Sequence, residues 1–279
     1  MDKLLIIDGN NLLFQMFFGM PSRIINKNGK AIQGTLGFVG ALLKIIRTQK
    51  PTHVAVLFDG DCSQERKNTN ADYKANRIDY SKVEDSENPF SQIDDVYKAL
   101  DFLQIKHTES CGCETDDLIA GYALTYGKDM QVVISSFDSD FFQLITDNVT
   151  VLRYRGDNTV ICDKQYLQTK FGITPNAYAD FKSLTGDSAD NIKGANKIGP
   201  KTASQLINQF GTLENLLNNT ELIAKSAIKN SIEESKQHLK DNYKIIKLNN
   251  NCTLPFSIED LRYDLPAISS REVLQKIGL

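Results

Sequence analysis

Three short, uninterrupted apolar runs, each closing on an aspartate, constrain this chain more than any other feature. Leu4-Leu5-Ile6-Ile7 ends at Asp8, Val54-Ala55-Val56-Leu57-Phe58 ends at Asp59, and Val132-Val133-Ile134 passes through Ser135-Ser136-Phe137 to Asp138 and Asp140. Runs of this length without polar alternation suit strands buried on both faces, as in a parallel sheet covered by helices. Between the first two, Gly34, Leu36, Phe38, Leu42, Leu43, Ile45 and Ile46 fall at helical spacing, which gives a β-α-β order. Ligands of such sheets bind beyond the carboxyl ends of the strands, where each aspartate falls. One aspartate there is equally well a helix or turn cap. Capping does not explain why acids recur at one edge of one sheet.

More acid follows. Glu114-Thr115-Asp116-Asp117 opens a helix-like stretch, where Glu114 and Asp117 share a face and Asp116 lies to one side. A further group stands in Gly186-Asp187-Ser188-Ala189-Asp190-Asn191. The set is then Asp8, Asp59, Glu114, Asp116, Asp117, Asp138, Asp140, Asp187 and Asp190. Converging carboxylates repel and need a cation. Oxygen ligands with no histidine or cysteine among them point to Mg²⁺ or Mn²⁺, and the surplus over one ion's needs points to two.

Two basic segments suggest what those ions act on. Residues 60–95 are polar and poor in aliphatics, with Arg66, Lys67, Lys74, Arg77 and Lys82 near Tyr73 and Tyr80. Such a stretch is a surface loop or a lid over a ligand. Its cations and aromatics suit a polyanion, with Lys and Arg on phosphates and rings on bases. After a hairpin predicted from VLRYR, GDN and TVIC, the composition turns helical. There Lys193-Gly194-Ala195-Asn196-Lys197-Ile198-Gly199-Pro200-Lys201-Thr202 predicts a helix, a Gly-bounded turn and a second helix starting at Pro200. The exposed amides of that helix start, with the lysines, form a seat for a phosphate backbone.

Composition adds little beyond exclusions. With 279 residues, 41% hydrophobic and 24% charged, the chain reads as an ordinary globular protein of one or two domains. No apolar run is long enough to cross a bilayer and none resembles a signal peptide, so no membrane partner and a cytoplasmic location are expected. The five cysteines, Cys62, Cys111, Cys113, Cys162 and Cys252, lack zinc spacing and are read as free thiols. The formal net charge of −3 neither requires nor excludes a polyanionic partner.

Taken in order, IIDGNN, LFDGD, YKANR, CETDDLIA, SSFDSDFFQL, GDSADNIKG and KIGPKTA resemble the bacterial 5′→3′ exonuclease and flap endonuclease family, which includes the N-terminal nuclease domain of DNA polymerase I and stand-alone homologues. The likeness runs from about Asp8 to about Leu217. It implies an α/β fold with a mostly parallel central sheet flanked by helices, a PIN-like nuclease core with a helical arch, and a C-terminal all-α domain carrying a helix-hairpin-helix. The division expected is a core over 1–164 with the arch at about 60–95, and a helical DNA-binding part over 165–279 with the hairpin at about 184–210. By position, Asp8, Asp59, Glu114, Asp116 and Asp138 look like the tighter metal group, and Asp187 and Asp190 belong to the second ion. Lys74 and Arg77 look like the catalytic cations at the foot of the arch. Arg66, Lys67, Lys193, Gly194, Lys197, Gly199, Lys201 and Thr202 look like DNA contacts. A monovalent cation, K⁺, would lie on the carbonyls of Leu184, Thr185, Lys193, Ala195 and Ile198.

The implied activity is cleavage of DNA bearing a 5′ flap, 5′ overhang or free 5′ end, with RNA primer ends a further substrate, by a monomer without a polymerase domain. Thr115 and Phe137 depart from the family's usual residues without removing a ligand. Other readings stand beside this one. A non-catalytic, structure-specific DNA-binding protein would use the same basic segments. A metal-dependent ribonuclease would use a similar acidic sheet. A haloacid-dehalogenase-type phosphatase would need an Asp two residues beyond its nucleophile, and Asp8 is followed by Gly9-Asn10.

Overall fold

The computed structural model describes residues 2–60, 66, 69, 70, 72–265 and 267–279. The predicted strands form as β1 (Lys3–Asp8), β2 (His53–Phe58) and β4 (Gln131–Ser135), joined by β3 (Lys106–Glu109), β5 (Val149–Arg153) and β6 (Val160–Cys162). Their order is β3-β2-β1-β4-β5-β6, parallel throughout except for the antiparallel β5-β6 pair, the hairpin expected from VLRYR and TVIC. β1 pairs with β2 on one side, Ile7 against Val56, and with β4 on the other, Ile7 against Ser135. The chain therefore changes direction of winding between β1 and β4, and a crevice opens at their carboxyl ends.

Pleating explains the unbroken apolar runs. Leu4 and Ile6 belong to the core beneath one face, with Leu118, Ile119 and Tyr122 of α4 (Thr115–Tyr126). Leu5 and Ile7 belong to the core of the other face, with Phe38 and Leu42 of α2 (Gln33–Gln49). Both α1 (Gly9–Gly19) and α3 (Ile93–Phe102) complete that second layer.

Downstream, α5 (Lys164–Phe171) and α6 (Tyr178–Thr185) lead into a two-stranded ribbon, β7 (Gly186–Asp187) with β8 (Ile192–Lys193). Then come α7 (Pro200–Phe210), α8 (Leu213–Asn218) and the long α9 (Ser226–Ile246). As expected, α7 begins at Pro200 with Gly199 as its N-cap. Gly194 has no room for a side chain: a Cβ would overlap the backbone of Leu184 and Thr185. Gly194→Ala should cost about 1–3 kcal/mol in chemical denaturation, because the hairpin backbone must move.

The tail returns to the sheet. Arg262 bridges to His53, Tyr263 N–H donates to the Thr52 carbonyl at 2.9 Å, and α10 (Ser270–Lys276) adds Val273 and Leu274 to the α2 and α3 core. One expectation is overturned: Cys113 and Cys252 are joined in a disulfide that ties the start of α4 to the segment after α9. Spacing gave no hint of it, because 139 residues separate two cysteines that the fold brings together. Cys111 and Cys162 are free, and Cys62 lies outside the described residues.

Candidate metal centre

At the carboxyl edge, Asp8, Asp59, Asp116 and Asp138 line one cavity with Lys74 and Arg77. Asp8 does cap α1, accepting the Asn11 N–H at 3.1 Å, while its other oxygen takes the Ser136 hydroxyl at 2.7 Å. Capping and site chemistry thus share one side chain. Asp59 is held by a reciprocal pair with Asn10, whose amide donates to its carboxylate at 3.2 Å. Asp138 accepts the Asp140 N–H at 2.8 Å, which fixes the strand-end turn.

The helix start carrying Glu114 to Asp117 divides its acids between two surroundings. Asp116 is half-buried and faces Asp138, Asp59 and Asp8. Glu114 and Asp117 instead share Arg66, at 2.5 Å and 2.7 Å, and Glu114 also takes Lys74 at 3.1 Å and the Tyr73 hydroxyl at 3.2 Å. Arg77 meets Asp190 at 3.0 Å. The basic residues predicted for the arch therefore pair with the predicted metal acids. Thr115 contributes as well, donating to the Phe58 carbonyl at 2.8 Å and so locking α4 to the end of β2.

One expectation about residues 60–95 is corrected. Tyr73 is buried and hydrogen-bonded, so its ring does not stand free to stack on a base, whereas Tyr80 packs edge-on against Phe14 and Phe90, with centroids at 5.1 and 5.7 Å, and lines the acid cavity. Among the described residues the segment holds Arg66 and Thr69 in helical conformation, then turns and two short 3₁₀ stretches, Tyr80–Lys82 and Pro89–Gln92. Lys67 lies outside the described residues.

Beneath the hairpin, Asp140, Asp187 and Asp190 bring one carboxylate oxygen each within 4.8 Å of the others. Lys182, on α6, inserts its ammonium here, onto Asp140 and onto Asp187 at 2.6 Å. On the exposed side, Lys193, Lys197 and Lys201 face solvent around the turn. The carbonyls assigned to a monovalent cation are partly in use. Lys193 O accepts the Asn242 amide at 2.7 Å and contacts the His238 ring at 2.7 Å, and Leu184 O accepts the Ala195 N–H at 2.9 Å.

Family models of the 5′-3′ exonuclease match nearly the whole chain, the N-terminal resolvase-like domain over residues 3–172 and the C-terminal SAM fold over 173–268. The chain belongs to the 5′-3′ exonuclease family. A 5′-3′ exonuclease of Aquifex aeolicus is 31% identical over 100% of this chain and 93% of its own length. DNA polymerase I of Bacillus subtilis is 32% identical over 94% of this chain, which spans only 29% of that protein. A bacteriophage T5 flap endonuclease solved with DNA and metal ions shares the fold, with a TM-score of 0.72, 22% identity, and coverage of 99% of this chain and 96% of that one.

Within this exonuclease, charge crowding is visible in the titration of the acids. Burial, then Asp59, pushes the Asp8 carboxyl up to about 7, against the Ser136 and Asn11 hydrogen bonds. Burial, then Asp138, holds Asp116 well above the usual carboxylate range. Burial lifts Asp140 to about 7 despite Lys182. Burial would raise Glu114 too, but Lys74 and Arg66 outweigh it and hold it below its ordinary value.

A group whose folded value is raised binds its proton more tightly when folded, so its stabilisation is full below the unfolded value and fades as pH rises towards the folded one. In EDTA the melting temperature should therefore fall from pH 5 to pH 8, each tenfold gain in proton affinity on folding being worth about 1.4 kcal/mol. His53, lowered by burial, works in the opposite direction as a single group. Adding Mg²⁺ should flatten the fall in a calorimetric scan. A melting temperature that climbed over this window without metal would contradict the crowding.

Asn10 and Ser136 lie within sequence motifs that did not single them out, and Lys182, Asn242 and His238 lie outside every motif. Only Lys182 left a signal: it is the single cation in the helix FKSLT, in which Phe181 to Leu184 are otherwise apolar or small and buried.

Proposed function

We propose that this exonuclease-family chain is a metal-dependent 5′ nuclease that hydrolyses phosphodiester bonds of DNA carrying a 5′ flap, a 5′ overhang or a free 5′ end. The observation that carries the reading is the convergence of Asp8, Asp59, Asp116 and Asp138 on one cavity floor, with Lys74 and Arg77 on its wall. The donor set fits Mg²⁺ or Mn²⁺: every candidate ligand is a carboxylate, and Asp8 and Asp116 are held far above the ordinary range by burial and mutual repulsion, the state a bound cation would relieve. Asp8, Asp59, Asp116 and Asp138, with Glu114, would hold one ion. Asp140, Asp187 and Asp190 supply the second group, while Asp117 stays paired with Arg66 beside Glu114. Divalent ions bound there would activate water and offset charge on the phosphate.

The chain's own residues do the rest. The Lys193–Thr202 turn grips duplex phosphates through backbone amides at the start of α7 and through Lys197 and Lys201. Arg66, Lys74 and Arg77 sit on acids, and a phosphate entering the cavity offers them a competing anion at the reacting centre. A K⁺ ion at the turn would have to share Lys193 O with Asn242 and His238. Action as a monomer in the cytoplasm belongs to the same reading, and there the Cys113–Cys252 pair would be reduced.

A substrate panel tests the proposal. Duplexes with a labelled 5′ flap, a 5′ overhang, a 3′ flap or an RNA-primed 5′ end would be incubated with Mg²⁺. Cutting of 5′ structures with 3′ flaps spared is expected. Equal cutting of 3′ flaps would sink the 5′ polarity, and RNA-restricted cutting would favour a ribonuclease.

A further inference from the structure

We infer that Lys182 is the built-in counter-cation of the second acid group, holding Asp140 and Asp187 together before any divalent ion arrives and setting that site's affinity below that of the first. This rests on the reading of Asp140, Asp187 and Asp190 as a second ion site. The contact is built rather than incidental: the Lys182 side chain is 6% exposed, and its ammonium touches both carboxylates. It comes from α6, the first helix of the hairpin unit, whereas Asp140 follows β4, so the lysine joins the two halves of the site across the molecule.

Charge distinguishes the two sites. The first gathers Asp8, Asp59, Asp116 and Asp138, with Glu114 beside them, around one largely buried ammonium, that of Lys74, which meets Glu114 at 3.1 Å and none of the other four within ion-pair distance among the described contacts. In the second, three carboxylates and one ammonium leave a net charge of −2, which one divalent ion cancels. Arg77 also meets Asp190, but its side chain is 52% exposed and can swing into solvent. Lys182 has no such exit. A divalent ion must therefore bind beside the ammonium or displace it from oxygens that both cations need, and either route weakens binding.

Mn²⁺ titration of the metal-free protein, with free Mn²⁺ read by electron paramagnetic resonance, separates the outcomes. The intact protein should show a tighter and a weaker class of ion. In Lys182→Met, the weaker class should tighten about tenfold or more and the tighter class stay unchanged. In Lys182→Arg, which keeps the charge, the weaker class should stay weak. Since Lys182→Met leaves the Asp140 and Asp187 carboxylates without their shared ammonium, its melting temperature should also rise more on adding Mn²⁺ than that of the intact protein. Two classes with an unchanged or loosened weaker class in Lys182→Met would overturn the role given to Lys182 and leave the two-ion reading standing. A single class in the intact protein would overturn the two-ion reading itself, and Lys182's role with it.

Discussion

Asp116→Asn should lower the cleavage rate by about 10³-fold or more and, at the same time, raise the melting temperature of the metal-free protein. Loss of rate follows from removing one of the carboxylates that would hold the ions, worth several kcal/mol of charge stabilisation at the reacting phosphate. The gain in stability follows from crowding. Asp116 is half-buried, and its loss of hydration together with Asp138, Asp59 and Asp8 pushes its carboxyl above the usual range. An amide of the same shape removes a charge that the folded state disfavours, for a gain of about 1–3 kcal/mol at neutral pH in EDTA. Mg²⁺ should abolish the difference or reverse it. Single-turnover rates beside melting curves with and without metal check both halves, and a variant that was slow and also less stable without metal would mean that Asp116 is structural.

Lys74→Ala should slow cleavage about 10²–10³-fold while changing affinity for flap DNA only slightly. Its ammonium lies 3.1 Å from Glu114 and 4.8 Å above the Tyr73 ring, on the wall of the acid cavity. Its backbone is in the left-handed region at φ 56, and its N–H donates to the Asp190 carbonyl at 3.1 Å. The backbone thus fastens the basic segment to the hairpin, while the side chain is left to act on charge. Alanine keeps the first role and deletes the second. Rate and affinity falling together would show that Lys74 only positions DNA.

Strands β1, β2 and β4 were legible because a strand buried on both faces has no polar alternation, and Leu4 to Ile7 divide between two cores as that pattern requires. Asp8, Asp59 and Asp138 were legible because acids recur where such strands end, and Asp116 because it stands among three acids at a helix start. Partnerships were not. The sequence cannot show that Glu114 faces Arg66 and Lys74 while Asp116 faces Asp138, because neighbours on one helix turn diverge into different surroundings. The Cys113–Cys252 link and the tail's return to β2 depend on where a helical domain delivers the chain, which local pattern does not encode. Tyr73 misled for a related reason: a ring among cations suits a base, yet here it fills the floor under Lys74.

Cleavage of a 5′-labelled flap duplex by metal-stripped protein, before and after Mg²⁺ is added and beside the Asp187→Ala, Asp190→Ala double variant, tests the central claim most directly. The account predicts no cutting in EDTA, cutting near the junction once Mg²⁺ is present, and collapse of that activity in the double variant. Tight binding of the flap by the intact protein with no cutting at any Mg²⁺ concentration would contradict it and leave a DNA-binding protein whose acids serve only its own cations.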